Sequence, residues 1–185
     1  IPESYGAEVE ILWLKPENNF LPDLIELKSM LRSNTKLIVL NNPNNPTGAL
    51  MMDEYLNNFI DVIAPSGAYV LCDEVYRGTN QEGTGFAPAM ADIYDKGISV
   101  SSMSKVFSLA GIRLGWIAGP REVLESVMIR RDYNTISVGM IDDYFASLAL
   151  ENKEKIIERS QNITRGNLKI LDEWVSNEPS ITYIK

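Results

Sequence analysis

The sequence has no histidine and only one cysteine, Cys72, in 185 residues. Without histidine, a hydrolytic triad that uses an imidazole base is excluded within this chain. A single cysteine excludes an internal disulfide, favours a reducing compartment and, with no histidine beside it, argues against a metal site. Basic residues are also few. The chain has 17 Lys and Arg against 25 Asp and Glu, which gives a net charge of −8. No basic stripe can neutralise phosphates, so we expect no nucleic-acid partner.

Long apolar runs are missing as well. No uninterrupted apolar stretch approaches the length of a transmembrane helix, and residues 1–4 are not typical of a secretory signal peptide. We therefore expect a cytoplasmic protein with no membrane partner. The chain does not begin with Met and starts close to a predicted strand. We expect it to be an excised or truncated piece of a longer protein, the alternative being a mature chain processed in the cell.

The chain does contain an alternation of strand-like and helical patterns. Short apolar runs with β-branched residues predict five buried strands, which are Glu8–Leu14, Lys36–Leu40, Ala68–Cys72, Gly97–Ser101 and Leu114–Ala118. Amphipathic periodicity predicts five helices, which are Pro22–Leu31, Asp53–Ile63, Pro120–Arg131, Ile141–Leu150 and Lys153–Val175. Strands that alternate with helices predict a mostly parallel sheet with right-handed crossovers.

Three less regular segments complete this prediction. The strand Leu114–Ala118 follows Lys105 too soon for a crossover helix, so we expect it to run antiparallel. Ser180–Ile184 has the pattern of a further strand. Gly78–Gly85 is rich in glycine and polar residues, which is typical of a loop.

Three polar clusters stand where three of the predicted strands end. They are Asn41–Gly48, Asp73–Tyr76 and Ser102–Lys105, with Arg113 beyond the last. The carboxyl ends of parallel strands face the ligand crevice of an open α/β sheet. We therefore expect an amide, an acid, a phenol and an amine to converge on one site, as a phosphorylated, carbonyl-bearing ring cofactor would require.

Each of these residues also has a simpler explanation. A neutral lysine forms Schiff bases with carbonyl groups, but most lysines, and so Lys105 taken alone, lie solvated at the surface. Asp73 could pair with a protonated heteroaromatic nitrogen, or it could cap a helix or a turn. Tyr76 could donate to a phenolate-type oxygen or only pack, and Asn45 lies in a common Asn-Pro turn. Arg113 suits a phosphate or a surface ion pair.

Serine hydroxyls at Ser102 and Ser104 add donors beside Lys105. Together the three clusters resemble the large domain of the class I/II aminotransferases, the aspartate-aminotransferase-like, pyridoxal-phosphate-dependent enzymes of fold type I. Residues 41–48 are similar to the family's Asn-Pro-Thr-Gly signature, residues 72–76 to its Asp-Glu-x-Tyr element, and residues 102–115 to its Ser-x-Ser-Lys…Gly-x-Arg-x-Gly block. The resemblance covers essentially the whole chain.

The resemblance implies a fold. It is a three-layer α/β/α domain with a mostly parallel sheet, incomplete here and made of central strands plus C-terminal helices. Residues 1–175 would form the central part of the cofactor-binding large domain, and residues 176–185 the start of a small C-terminal domain. Two family strands would lie outside this chain, so we expect a central sheet of the four strands between Lys36 and Ala118. Glu8–Leu14 would then be displaced, newly paired, or paired between chains.

The resemblance also implies roles for single residues. Lys105 would be the catalytic residue, binding pyridoxal 5′-phosphate as a Schiff base and moving the substrate α-proton. Asp73 would pair with the pyridine nitrogen, and Tyr76 and Asn45 would hydrogen-bond the phenolic oxygen of the ring. The phosphate would be held by Ser102, Ser104 and Arg113.

The activity implied is transfer of an amino group between an amino acid and a 2-oxo acid, in a full-length protein that forms a homodimer. The family's glycine-rich phosphate loop, its ring-stacking aromatic residue and its substrate-carboxylate arginine are not found in these 185 residues. We therefore expect the chain alone to be inactive. Two alternatives stay open, namely a β-lyase or decarboxylase of the same fold, or an aminotransferase-like effector domain of a transcription regulator.

Overall fold

A four-stranded mixed sheet forms the centre of the computed structural model, which describes residues 1–83 and 86–184. Its strands, in spatial and chain order, are β1 (Leu37–Asn41), β2 (Tyr69–Asp73), β3 (Gly97–Ser102) and β4 (Gly115–Ala118). The first three are parallel, and β4 runs antiparallel to β3. The four expected central strands are confirmed, and so is the expected antiparallel direction of the last one.

Six α-helices accompany this sheet in the described residues. They are α1 (Leu24–Met30), α2 (Asp53–Ile63), α3 (Met90–Ile93), α4 (Arg121–Arg131), α5 (Met140–Glu151) and α6 (Lys153–Ser176). Short 3-10 turns are found at Pro2–Tyr5, Pro16–Asn18, Ala64–Ser66 and Ala110–Ile112. All five predicted helices are present, and the one-turn helix α3 was not predicted. None of the helices in the described ranges combines the length and the apolar character of a membrane span.

Helix α1 begins two residues later than its pattern predicts because Asp23 caps it. The Asp23 Oδ1 accepts hydrogen bonds from the backbone N–H of Ile25 at 2.8 Å and of Glu26 at 3.1 Å. A cap residue keeps extended backbone angles and satisfies the first N–H groups of the helix. The helix therefore starts at Leu24, immediately after its cap.

The prediction of a strand at Glu8–Leu14 was wrong. Residues 7–15 pair with no strand, and they leave Ile11 60% and Trp13 68% exposed. Ion pairs from Lys15 to Glu26 (2.8 Å) and from Arg32 to Glu10 tie the segment to α1 and its C-terminal end. A strand exists only with a ladder partner for its backbone groups, and none is described here. The segment is thus displaced from the sheet, one of the outcomes expected from the resemblance.

The prediction of a strand at Ser180–Ile184 was also wrong. These residues carry no ladder hydrogen bonds, and Ile181 N–H instead donates to Glu178 O at 3.1 Å in a turn. The proposed domain boundary at 176 stays a prediction, and Lys185 lies outside the described residues. So do residues 84 and 85 of the predicted Gly78–Gly85 loop.

Two apolar clusters hold these elements together. The first joins α1 and α2 to the sheet through buried residues, which are Leu27, Met51, Leu56, Phe59, Ile63, Val70, Cys72, Ala87 and Met90. The second lies under the chain that follows β3 and comprises Met103, Val106, Phe107, Ala146, Ala149 and Ile157. Helices α5 and α6 therefore support the loop that contains Lys105.

Candidate functional site

The carboxyl ends of β1, β2 and β3 meet at one edge of the sheet. Asn41 is the register partner of Asp73, and the Asn42 N–H donates to Asp73 O at 3.0 Å. The Glu74 N–H donates to Val100 O at 2.7 Å, which fixes the end of β2 against β3. All three polar clusters therefore emerge on the same side, where ligands bind in open α/β sheets.

Asp73 is the last residue of β2 and its side chain is exposed. The Asp73 Oδ1 accepts a hydrogen bond from the Val75 N–H at 3.0 Å, which closes a tight turn directly after the strand. The turn explanation and the functional one are therefore compatible. The carboxylate stabilises the turn and still lies at the open edge of the sheet.

Lys105 and Tyr76 lie next to each other at this edge. The Lys105 Nζ is 5.5 Å from the centre of the Tyr76 ring. Lys105 is exposed and Tyr76 is partly buried. Tyr76 belongs to the turn after β2 and Lys105 to the loop after β3, so the parallel pairing of these strands brings an amine and a phenol together.

The Lys105 loop is anchored from below. Met103 and Val106 are buried on either side of Lys105, and the Leu109 N–H donates to Met103 O at 2.9 Å. From α6, the Ser160 hydroxyl donates to Val106 O at 2.7 Å in a buried hydrogen bond. The alternation of buried and exposed residues directs Lys105 away from the core.

Ser102, Ser104 and Arg113 lie near the β3–β4 junction. The Ser104 N–H donates to Ser102 Oγ at 3.2 Å, and the Arg113 guanidinium donates to Ala110 O at 2.8 Å. Arg113 adopts a left-handed backbone conformation with φ of 50°. A Cβ at Gly115 would lie 2.7 Å from Ser101 O, so only glycine lets β4 approach β3 this closely.

Asn45 lies on the loop after β1, with its side chain exposed. This loop is closed by hydrogen bonds from Asn44 N–H to Ala49 O and from Gly48 N–H to Asn44 O, both 2.8 Å. Both Asn-Pro peptide bonds of the loop are cis. Within the described residues, neither Asn45 nor Arg113 has a hydrogen bond to Asp73, Tyr76 or Lys105.

Sequence reasoning missed three buried polar residues that support the site. Asn42 bridges the backbone of Met51, accepting from its N–H at 2.8 Å and donating to its carbonyl at 3.0 Å. Glu74 accepts hydrogen bonds from α3 and β3. Ser160 holds the Lys105 loop. Asn42 and Glu74 stand inside the motifs, but most of their partners are distant in the sequence, so no local pattern reveals them.

Comparison with known proteins decides the family. The family "Aminotransferase class I and II" matches residues 1–166. The chain belongs to the class I and II aminotransferases. Among similar proteins, an aspartate aminotransferase from Pyrococcus horikoshii is 30% identical over 96% of the chain and 48% of its own length. A capreomycidine synthase from Streptomyces vinaceus is 30% identical over 92% of the chain and 44% of its own length.

Solved structures of aminotransferases share the fold. A PLP-dependent aminotransferase from Streptococcus suis superposes with a TM-score of 0.92 and is 44% identical, covering 99% of this chain and 48% of its own. A tetra mutant of an aspartate aminotransferase from Thermus thermophilus gives a TM-score of 0.77 at 28% identity, covering 87% of this chain and 44% of its own. The chain spans about half the length of the relatives it matches. The expected mixed α/β fold of this family is confirmed.

Proposed function

We propose that the chain is the cofactor-binding part of a pyridoxal-phosphate-dependent aminotransferase that transfers an amino group between an amino acid and a 2-oxo acid. The observation that carries this proposal is the pairing of Lys105 with Tyr76 at the same sheet edge as Asp73, with 5.5 Å between the Lys105 Nζ and the Tyr76 ring centre. Membership of the aminotransferase family supports it.

The donor set at this edge fits pyridoxal phosphate. An amine suits its aldehyde, a carboxylate its protonated pyridine nitrogen, and a phenol and an amide its phenolic oxygen. Two hydroxyls and a guanidinium suit its phosphate. When bound, the cofactor supplies an electron sink that stabilises negative charge at the substrate α-carbon.

Each residue beside the cofactor ring would have its own role. Lys105 Nζ would hold the cofactor at its aldehyde carbon, and the lysine amine, once the substrate amine has replaced it there, would carry a proton to and from the substrate α-carbon. The Asp73 carboxylate would keep the proton on the pyridine nitrogen. Tyr76 and Asn45 would donate hydrogen bonds to the phenolic oxygen. These contacts would orient the ring and stabilise its charge.

The phosphate would be bound at the β3–β4 junction. Ser102 and Ser104 provide hydroxyl groups there, and Arg113 provides a permanently charged guanidinium. This arrangement would anchor the phosphate group of the cofactor, while Lys105 would bind its aldehyde.

We also propose that the complete enzyme is a cytoplasmic homodimer and that the 185-residue chain alone has little or no activity. Catalysis requires all reacting groups in near-attack geometry, and the chain covers less than half the length of the P. horikoshii aminotransferase. The assay is production of a 2-oxo acid by the purified chain with pyridoxal phosphate. Measurable turnover would contradict this proposal.

The test of the cofactor assignment is Lys105→Ala in the full-length gene product that contains these residues. We expect the absorption band of the lysine-bound cofactor to disappear. Lys155→Ala, which changes an exposed lysine of α6, serves as the matched control and should keep the band. A band that persists in Lys105→Ala defeats the assignment.

A second candidate is another reaction on the same cofactor, such as a β-lyase, decarboxylase or synthase reaction. It is favoured by the similarity to a capreomycidine synthase at the same 30% identity as the P. horikoshii aminotransferase. Both candidates would use the same lysine and acid. A product assay with and without a 2-oxo acid acceptor distinguishes them, since only transamination consumes the acceptor.

A further inference from the structure

Glu74 is a buried acid that has no role in the chemistry described above. It directly follows Asp73 and is 4% exposed. Its Oε1 accepts two hydrogen bonds, one from the Met90 N–H at the start of α3 and one from the Ser99 hydroxyl of β3, both 2.7 Å. The Ser99 hydroxyl in turn accepts from the Ala91 N–H at 3.0 Å. The carboxylate thus joins three elements.

The backbone of Glu74 is fixed as firmly as its side chain. Its N–H donates to Val100 O at 2.7 Å, and its carbonyl accepts from the Arg77 N–H at 2.8 Å and from the Ser101 hydroxyl at 3.3 Å. Glu74 stands between Asp73 and Tyr76 in the turn. Both candidate cofactor ligands therefore take their positions from a residue that is held on three sides.

Burying a carboxyl group is costly unless hydrogen bonds compensate for it. Burial raises the pKa of Glu74, while the hydrogen bonds from Met90 and Ser99 act in the opposite direction. An apolar side chain would fill the space without this cost, but it could not accept the Met90 N–H and the Ser99 O–H. The acid is therefore useful at this position for the directions of its hydrogen bonds.

We propose that Glu74 is a positioning residue of the cofactor site. It locks the Asp73–Tyr76 turn onto β3 and α3, so that the carboxylate of Asp73 and the ring of Tyr76 keep their places relative to Lys105. Glu74 itself touches neither cofactor nor substrate. This inference rests on the proposed function, because it concerns the alignment of the same cofactor site.

The test compares Glu74→Met with Glu74→Gln in the full-length gene product. Methionine fills the space but accepts no strong hydrogen bond, whereas the Gln Oε1 accepts from the same two donors. The measurements are the dissociation constant of pyridoxal phosphate and the pH midpoint of the absorption band of the bound cofactor. We expect Glu74→Met to weaken binding about tenfold or more and to shift the midpoint, because misplaced ligands lose alignment. Glu74→Gln should keep the dissociation constant within about threefold of wild type and leave the pH midpoint unchanged.

The matched control is Tyr94→Phe. The hydroxyl of Tyr94 reaches the start of β2, at the end of the strand away from the site. The Tyr94 hydroxyl donates to Ala68 O at 2.8 Å, so its loss removes a partly buried hydrogen bond of the same sheet without touching the site. We expect a lower melting temperature with unchanged cofactor affinity. If Tyr94→Phe weakens the cofactor as much as Glu74→Met, the effect is one of general stability and the inference is wrong.

Two further measurements keep the inference testable. If Glu74→Met does not fold, Ser99→Ala removes one of the two hydrogen bonds and should produce a smaller change in the same direction. If wild type does not bind pyridoxal phosphate, the proposed function fails. Amide hydrogen exchange at Val75 and Tyr76 then tests the positioning role of Glu74, since faster exchange in Glu74→Met but not in Glu74→Gln supports it. Wild-type affinity, pH midpoint and exchange rates in Glu74→Met would overturn it.

Discussion

The Lys105 Nζ lies 5.5 Å from the centre of the Tyr76 ring, within the range of a cation–π contact. The two residues belong to loops after adjacent parallel strands, so the contact exists only because β2 and β3 pair in this register. It places an amine over an aromatic face at the open edge of the sheet. Tyr76 thus has two groups to offer, a ring face toward Lys105 and a hydroxyl for the cofactor.

Variants of Tyr76 can separate these two groups. Tyr76→Phe keeps the ring beside Lys105 and removes the hydroxyl, whereas Tyr76→Ala removes both. We expect Tyr76→Phe to weaken pyridoxal phosphate binding about fivefold, which corresponds to one hydrogen bond of about 1 kcal/mol, and Tyr76→Ala to weaken it further. Spectrophotometric titration of the full-length gene product measures this. Equal affinities in wild type and Tyr76→Phe would show that the Tyr76 hydroxyl does not bind the cofactor.

Asn42 should matter for stability. Its amide satisfies both the N–H and the carbonyl of Met51 while only 4% exposed, so Asn42→Ala leaves two buried backbone groups without a partner. We expect the free energy of unfolding to fall by about 2 kcal/mol in urea denaturation. Asn177→Ala is the control, since its amide donates to Glu173 O at 2.8 Å at the surface, and it should change stability by less than about 0.5 kcal/mol.

Ser160 should stabilise the Lys105 loop. Its hydroxyl donates to Val106 O at 2.7 Å, and Ser160→Ala would leave that carbonyl unpaired. We expect the free energy of unfolding to fall by about 1 kcal/mol. Amide hydrogen exchange should become faster at Ser108, whose N–H donates to Lys105 O. The control on the same helix is Ser176→Ala, which loses an exposed hydrogen bond to Asp172 O. Unchanged exchange at Ser108 in Ser160→Ala would show that α6 does not hold this loop.

The pH dependence of stability should reveal Glu74. Its pKa is raised above its ordinary value of 4.5, so the folded state holds the proton more tightly than the unfolded state. The contribution of Glu74 is therefore fully present below pH 4.5 and is lost as the pH rises through the raised folded value. Glu74→Gln does not titrate, so the unfolding free energies of the variant and wild type should diverge over this window in favour of the variant. Urea denaturation at a series of pH values measures the difference. If the unfolding free energies of the two proteins change in parallel with pH, burial does not raise the pKa of Glu74.

Strands were predicted correctly where the described residues also supply a neighbouring strand. The strands β1 to β3 were predicted within one residue at each end, and α2 at its observed bounds. Glu8–Leu14 has an equally apolar pattern and forms no strand. Apolar periodicity reports what a segment could bury, whereas a strand also needs a neighbour for its backbone N–H and C=O groups.

The chemical types of the site residues and their order along the chain follow from the sequence alone. The residue types at Lys105, Asp73 and Tyr76, each following an apolar run, were enough to suggest the cofactor class. Folding brings Tyr76 to Lys105, turns Glu74 inward and lets Ser160 hold the loop from below. These contacts join residues far apart in sequence, and their geometry depends on strand register and helix packing, which no local pattern specifies.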